Sequence, residues 1–229
     1  MDNKKVVVLV SGGLDSAVCL ALAVKDYGAK NVLALSMYYG QKHKKELEYS
    51  NKLAEYYKVD HMVHEISGVF DHSDCTLLAG REEIEHGDYA EQIVKAHGKP
   101  VATYVPFRNG LFLAHAAAIA ISVGAQYIMY GAHADDAAGN AYPDCSRNFV
   151  ADMNAAICEG SGKTCQLCAP LVCMNKAGVV ALGMSLNVPF ELTWSCYEGG
   201  DKPCGKCGTC IDRAKAFELN GLTDPALSK

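Results

Sequence analysis

Apolar positions along this chain fall into two alternating patterns, short unbroken runs and helically spaced stripes. Val6–Val10 is a run of five apolar residues, four of them valine, and predicts a strand buried on both faces. From Ser16 the pattern turns helical, with Val18, Leu20, Leu22 and Val24 set among alanines. Val32–Tyr39 predicts a second strand closed by Gly40, and His43–Lys58 a helix with Leu47, Leu53, Ala54 and Tyr57 on one side. Lys42, Lys44 and Lys45 precede Glu46 and Glu48 at helix-pair spacing, which reads as a solvated face. Asp60–Ile66 predicts a third strand, with His61 and His64 on its surface. Residues 67–100 are polar, glycine-punctuated and weakly periodic, the pattern of a loop or lid with one short helix near Tyr89–Ala96. Arg108–Val123 is a helix apolar nearly all round, expected to be buried or at a subunit interface. A strand at Gln126–Tyr130, a helix at Arg147–Cys158, a strand at Leu167–Val172 and helices at Lys176–Leu186 and Arg213–Leu219 complete the pattern.

Strands alternating with helices predict an α/β fold, a doubly wound, mostly parallel sheet with helices on both faces. Ligands of such sheets sit at the carboxyl ends of the strands. That rule gathers Ser11–Ser16, Tyr38–Gln41, Arg108-Asn109 and Gly131–Cys145 around one crevice.

Length and composition narrow the class. A chain of 229 residues can bury a substantial core as one large domain, or as one domain with a small appendage. Its 50% hydrophobic and 21% charged residues are ordinary for a globular protein. A net charge of −5 argues against a dedicated nucleic-acid binder. The apolar core behind Lys4 and Lys5 is too short for a signal peptide, and Leu111–Ile121 falls below the roughly 20 residues that span a bilayer. A cytoplasmic location is expected. The eleven cysteines then read as thiols or metal ligands rather than a disulfide framework.

The chemistry begins where Val6–Val10 runs into Ser11-Gly12-Gly13-Leu14-Asp15-Ser16. Paired glycines permit a sharp turn and close backbone approach. A helix starting there offers free N–H groups and the positive end of its dipole to an anion. No lysine stands at the Walker spacing, and the Rossmann glycine pattern is absent. The hexapeptide resembles instead the signature of the PP-loop ATP pyrophosphatases. This resemblance implies that Val10, Ser11, Gly12, Gly13, Leu14, Asp15 and Ser16 bind ATP through its pyrophosphate, which leaves when the α-phosphate is attacked.

Near the C-terminus stands Cys196-x7-Cys204-x2-Cys207-x2-Cys210, with Gly205 and Gly208 placed to turn backbone N–H groups toward sulfur. Four thiolates suit a closed tetrahedral zinc site with Zn–S near ~2.3 Å. An iron–sulfur cluster is the competing reading, disfavoured because the fourth cysteine lies upstream and no Cys-Pro ending follows. One structural zinc per chain is therefore expected. Cys165, Cys168 and Cys173 form a weaker group, whose spacing on a strand would turn Cys168 away from the other two. They read as small thiols without a metal.

Together with Tyr39-Gly-Gln41, Arg108-Asn109, Tyr142-Pro-Asp-Cys145 and Thr193-Trp-Ser-Cys-Tyr197, these motifs resemble the 7-cyano-7-deazaguanine synthase family of queuosine biosynthesis over most of the chain. The resemblance implies a ligase that forms carbon–nitrogen bonds. In it, 7-carboxy-7-deazaguanine is activated by ATP, trapped by ammonia as an amide, activated again and dehydrated to a nitrile. ATP with Mg2+ would be the co-substrate, with Asp15 and Arg108 catalytic and Arg108, Asn109 and Asp144 at the substrate. Asp15 would orient the loop or the metal, and Arg108 would pair with a carboxylate or the α-phosphate. Asp144 would accept from the guanine-like N–H edge or cap a helix. Residues 1–190 would form the ATP-binding domain, with the lid at about 67–100, and 191–229 the zinc-binding and helical segment. The expected partners are small molecules, with neither a membrane nor stably bound nucleic acid, and the expected assembly is a homodimer. Two rival readings are a tRNA-thiolating or lysidine-forming PP-loop enzyme, which needs a basic surface, and a non-catalytic ATP-binding zinc module.

Overall fold

The computed structural model describes residues 4–227. Its strands are β1 (Val6–Leu9), β2 (Val32–Tyr38), β3 (Asp60–Glu65), β4 (Tyr127–Met129) and β5 (Gln166–Cys168). They form one parallel sheet in the order β3-β2-β1-β4-β5, with Val6 opposite both Val32 and Tyr127. The helices are α1 (Leu14–Tyr27), α2 (Lys45–Tyr57), α3 (Tyr89–Ala96), α4 (Arg108–Ser122), α5 (Ala134–Ala137), α6 (Arg147–Gly160), α7 (Lys176–Ser185) and α8 (Gly208–Glu218).

Successive strand residues face opposite sides, so the valine run feeds two cores. Val6, Val8 and Val10 pack with α1, with Leu53 and Ala54 of α2, with Val179 and Val180 of α7, and with Ala216 and Phe217 of α8. Val7 faces the other way, onto Leu113, Ala116 and Ala120 of α4 and Ile157 of α6. The chain thus starts at the sheet centre, builds outward to β3, and returns to add β4 and β5. The loops leaving β1 and β4 part company there, which opens a crevice at the point where the winding reverses.

A third core lies beyond the carboxyl ends of the strands. Phe70, Cys75, Leu77, Leu78 and Ile84 pack there against Tyr39, Trp194, Cys196, Cys207 and Cys210. The segment expected to be a polar lid therefore carries a buried apolar lining of its own, and α3 stands where the sequence placed it. Residues 191–227 are built into the same cores, with Phe217 edge-on to Phe190 at a centroid distance of 5.2 Å.

Two expectations are corrected. The strand expected at 167–172 is Gln166–Cys168, because the chain turns at Leu171 and leaves Cys173 exposed beyond the sheet. The last helix begins at Gly208 instead of Arg213, springing directly from the cysteine cluster. α4 buries Gly110, Leu113, Ala116 and Ala120 on one side, while Ile121 on another is 47% exposed. Among the described residues no helix is long and apolar enough to cross a membrane.

Candidate active site

The loop between β1 and α1 forms the floor of the crevice. Gly12 has φ of +85°, and a Cβ there would collide with Glu46 O and lie 2.8 Å from Ser50 N. Glycine is required by both conformation and space. Gly13 caps α1 without any side chain filling its N-terminal N–H groups, so the first turn is open to an anion. Ser16 Oγ donates to Gly13 O at 3.0 Å, and Ser11 Oγ lies 3.3 Å from Ser16 Oγ. Val10 and Leu14 are buried and anchor the loop from below.

Asp15 rises from this loop into a charged network. Lys176 Nζ, at the start of α7, lies 2.6 Å from Asp15 Oδ2 and 3.0 Å from His133 Nε2. His133 Nε2 in turn lies 3.2 Å from Asp136 Oδ1. Burial pushes the Asp15 carboxyl up, but Lys176 and His133 outweigh it and the net shift is downward. Lys176 is likewise opposed by burial and raised overall by Asp15 and Asp136. Asp136 differs. Burial dominates there and holds its carboxyl above the usual range despite His133 and Lys176.

Arg108, at the first turn of α4, lines the opposite wall. Its Nη1 donates to Tyr39 Oη at 3.0 Å, and the guanidinium lies over the Tyr39 and Phe112 rings. Burial opposes its charge, yet Tyr39 and Glu46 raise its pKa overall. Glu46 points into the cleft rather than pairing with Lys42, while Glu48 pairs with Lys52 at 2.6 Å. Asn109 lines the cleft beside Arg108. Asp144 is buried, accepts the Asn109 backbone N–H at 2.8 Å, and so caps α4 from across the fold.

His133, Asp136 and Tyr142, within the Gly131–Cys145 segment expected at the crevice, line this cleft, and so do Lys176, Tyr89 and Tyr197, which lie outside the segments expected there. Strand-end position was the available signal. His133 and Asp136 follow β4, and Lys176 begins the helix after β5.

A second constellation lies at the far end of the third core. The sulfurs of Cys196, Cys204, Cys207 and Cys210 all lie within 4.8 Å of one another. Backbone N–H groups of Cys204, Lys206 and Cys207 point at cluster sulfurs from 3.3 Å each. Such bonds stabilise thiolate charge, so the donor set fits a metal ion in a closed four-sulfur site. No comparable convergence involves Cys165, Cys168 and Cys173 among the described residues.

A family model described as queuosine biosynthesis protein QueC matches residues 5–221. The chain is similar to 7-cyano-7-deazaguanine synthase of Archaeoglobus fulgidus, 43% identical over 225 residues that cover 98% of this chain and 90% of the relative. It is 40% identical to 7-cyano-7-deazaguanine synthase of Caldicellulosiruptor saccharolyticus over 221 residues, 96% of this chain and 94% of that protein. Among solved structures, NMN synthetase from Francisella tularensis is similar in fold, with a TM-score of 0.52 at 18% identity over 99% of this chain and 82% of that one.

Proposed function

The chain belongs to the queuosine biosynthesis protein QueC family, and from that membership we propose that it converts 7-carboxy-7-deazaguanine, ammonia and ATP to 7-cyano-7-deazaguanine. The observation that carries the reading is the division of charge across the cleft. The open N-terminus of α1 with Lys176 faces one wall, and the Arg108 guanidinium faces it from the other.

The triphosphate rests on the N–H groups and hydroxyls of Ser11–Ser16. Arg108 orients the substrate carboxylate through its planar fork. Attack of that carboxylate on the α-phosphate expels pyrophosphate, whose added charge falls on the α1 N-terminus and Lys176. Carboxylate oxygen is a poor leaving group, and adenylation lets it depart as AMP when ammonia attacks. The amide oxygen is adenylated by a second ATP, and loss of AMP leaves the nitrile. Asp15 Oδ1 is buried without a hydrogen-bond partner, a hard oxygen suited to magnesium. When bound, magnesium supplies neutralisation of the phosphate charge. Zinc held by Cys196, Cys204, Cys207 and Cys210 would have all four positions filled by sulfur, which supports a structural role.

The test is product analysis with the acid, ammonium and ATP. AMP and pyrophosphate are the expected products, and ADP with phosphate would sink the adenylation. Added tRNA should leave turnover unchanged, because the chain's net charge is −5 and the reading needs only small molecules.

A further inference from the structure

Three tyrosine hydroxyls meet in the cleft from three separate parts of the chain. Tyr89 of α3 lies 2.8 Å from Tyr197 and 3.1 Å from Tyr142, and Tyr142 lies 3.3 Å from Tyr197, all oxygen to oxygen. Thr103 Oγ1 approaches Tyr142 Oη at 2.6 Å. Each hydroxyl has one proton and two lone pairs. Thr103 is buried and Tyr142 is its hydroxyl's partner among the described residues; four hydroxyl protons supply all four of these contacts only if Thr103 donates to Tyr142. The three phenol protons are then used around the ring, each passed to the next oxygen. Tyr142 accepts twice and is saturated. Tyr89 and Tyr197 each keep one lone pair and have no proton left to offer.

This corner of the cleft therefore accepts hydrogen bonds and does not donate them. It rejects phosphate and carboxylate and selects an N–H donor. Burial raises the pKa of Tyr89 and Tyr142, which keeps them neutral. Asp136 adjoins the ring, its backbone oxygen taking the Tyr142 N–H at 3.0 Å, and its side chain lines the same cleft. Arg108 and Tyr197 line the same cleft, so a carboxylate held by Arg108 faces the ring.

We propose that Tyr89, Tyr197 and Asp136 form the site that binds ammonium and delivers ammonia to the activated carboxylate. The proposal rests on the ammonia-dependent reading above. Two N–H bonds of the ammonium ion donate to the free lone pairs of Tyr89 and Tyr197, and a third to Asp136. Asp136 takes that proton, and the electrons of the broken N–H bond become the nitrogen lone pair. This pair forms the C–N bond with the acyl carbon while the C–O bond to AMP breaks. The surplus proton of the new amide leaves to solvent with AMP. A flat heterocycle edge is the competing N–H donor, but two acceptors 2.8 Å apart converge on a single small nitrogen.

Tyr89→Phe and Tyr197→Phe keep the aromatic packing and remove one acceptor each. Steady-state kinetics in ammonium should show its KM rising about 10- to 100-fold, the range for a hydrogen bond to a charged group. The rise should be out of proportion to any change in two partial reactions that consume no ammonia. These are ATP–pyrophosphate exchange with the acid, and turnover of the ready-made amide to the nitrile. A raised KM for the acid with an unmoved ammonium KM would overturn the proposal and assign the ring to the heterocycle. A parallel fall in exchange and ammonium turnover would also overturn it. Absence of exchange in the wild-type protein would overturn the activity itself, a failure distinguishable from that of the ring.

Discussion

Replacing Arg213 should release the C-terminal segment from the rest of the fold. Arg213 and Asp224 are 3% and 4% exposed and meet through two bonds, Nε to Oδ2 at 2.8 Å and Nη2 to Oδ1 at 2.9 Å. Nη1 also donates to Thr193 Oγ1 at 2.7 Å, and Nη2 to Phe190 O at 3.1 Å. Arg213→Met leaves the buried Asp224 carboxylate without its charge partner, whereas the pair itself adds little net stability over an apolar substitute. Breaking such a pair costs about 3–5 kcal/mol. For a chain of this length that is a fall in Tm of about 6–20 °C. The double variant Arg213→Met with Asp224→Leu removes both charges and should recover most of the loss. Thermal melts of the three proteins decide the matter. A single variant within about 2 °C of wild type, or a double variant melting as low as the single one, would refute the reasoning. The same change should raise the KM for ATP, because Thr193 leads into Trp194, whose N–H donates to Gly12 O at 2.8 Å.

Cys207→Ser should lose its bound metal in elemental analysis while Cys165→Ser keeps one zinc per chain; two zincs, or iron with labile sulfide, would contradict that assignment. Gly12→Ala forces a Cβ against the α2 backbone at a positive φ, so calorimetry should show ATP binding lost, with at least ~1 kcal/mol of stability. Asp136→Asn should raise Tm at neutral pH and slow turnover. Burial raises the carboxyl's folded pKa above 3.8, so the folded state holds the proton more tightly and stability falls as pH rises through that window. The gain from asparagine should therefore be present above the window and vanish below pH 3.8; a gain that persists there would show it has another origin.

What the sequence revealed follows the range of the interactions involved. The β1 run, its glycine turn and the four clustered cysteines lie within short windows, where spacing alone carries the geometry. β5 was misplaced because only Gln166–Cys168 pairs with β4, while Leu171 reaches the core from a turn. An apolar run does not distinguish those two routes to burial. The 67–100 segment was read as polar because Phe70, Leu77, Leu78 and Ile84 follow no period. Their shared partners, Trp194 and Cys207, lie more than a hundred residues further on. Lys176 escaped notice for the same reason, since 161 residues separate it from Asp15. Asp144 shows the limit of motif reading. Its motif marks the position, but only the fold shows that its carboxylate takes the Asn109 N–H.

Distance along the chain also explains how the cysteine cluster bears on chemistry it does not touch. Residues 193–197 are held at one end by Arg213 through Thr193 and at the other by Cys196 in the cluster. Thr209, in the first turn of α8, adds a bond to Ser195 O at 2.7 Å. Between these anchors Trp194 donates its backbone N–H to Gly12 O in the β1–α1 loop, and just past them Tyr197 closes the hydroxyl ring with Tyr89. A segment of five residues fixed at both ends has little freedom to lose, so the loop and the ring keep a constant separation. A metal held by the four cysteines would add to that fixity from outside the cleft.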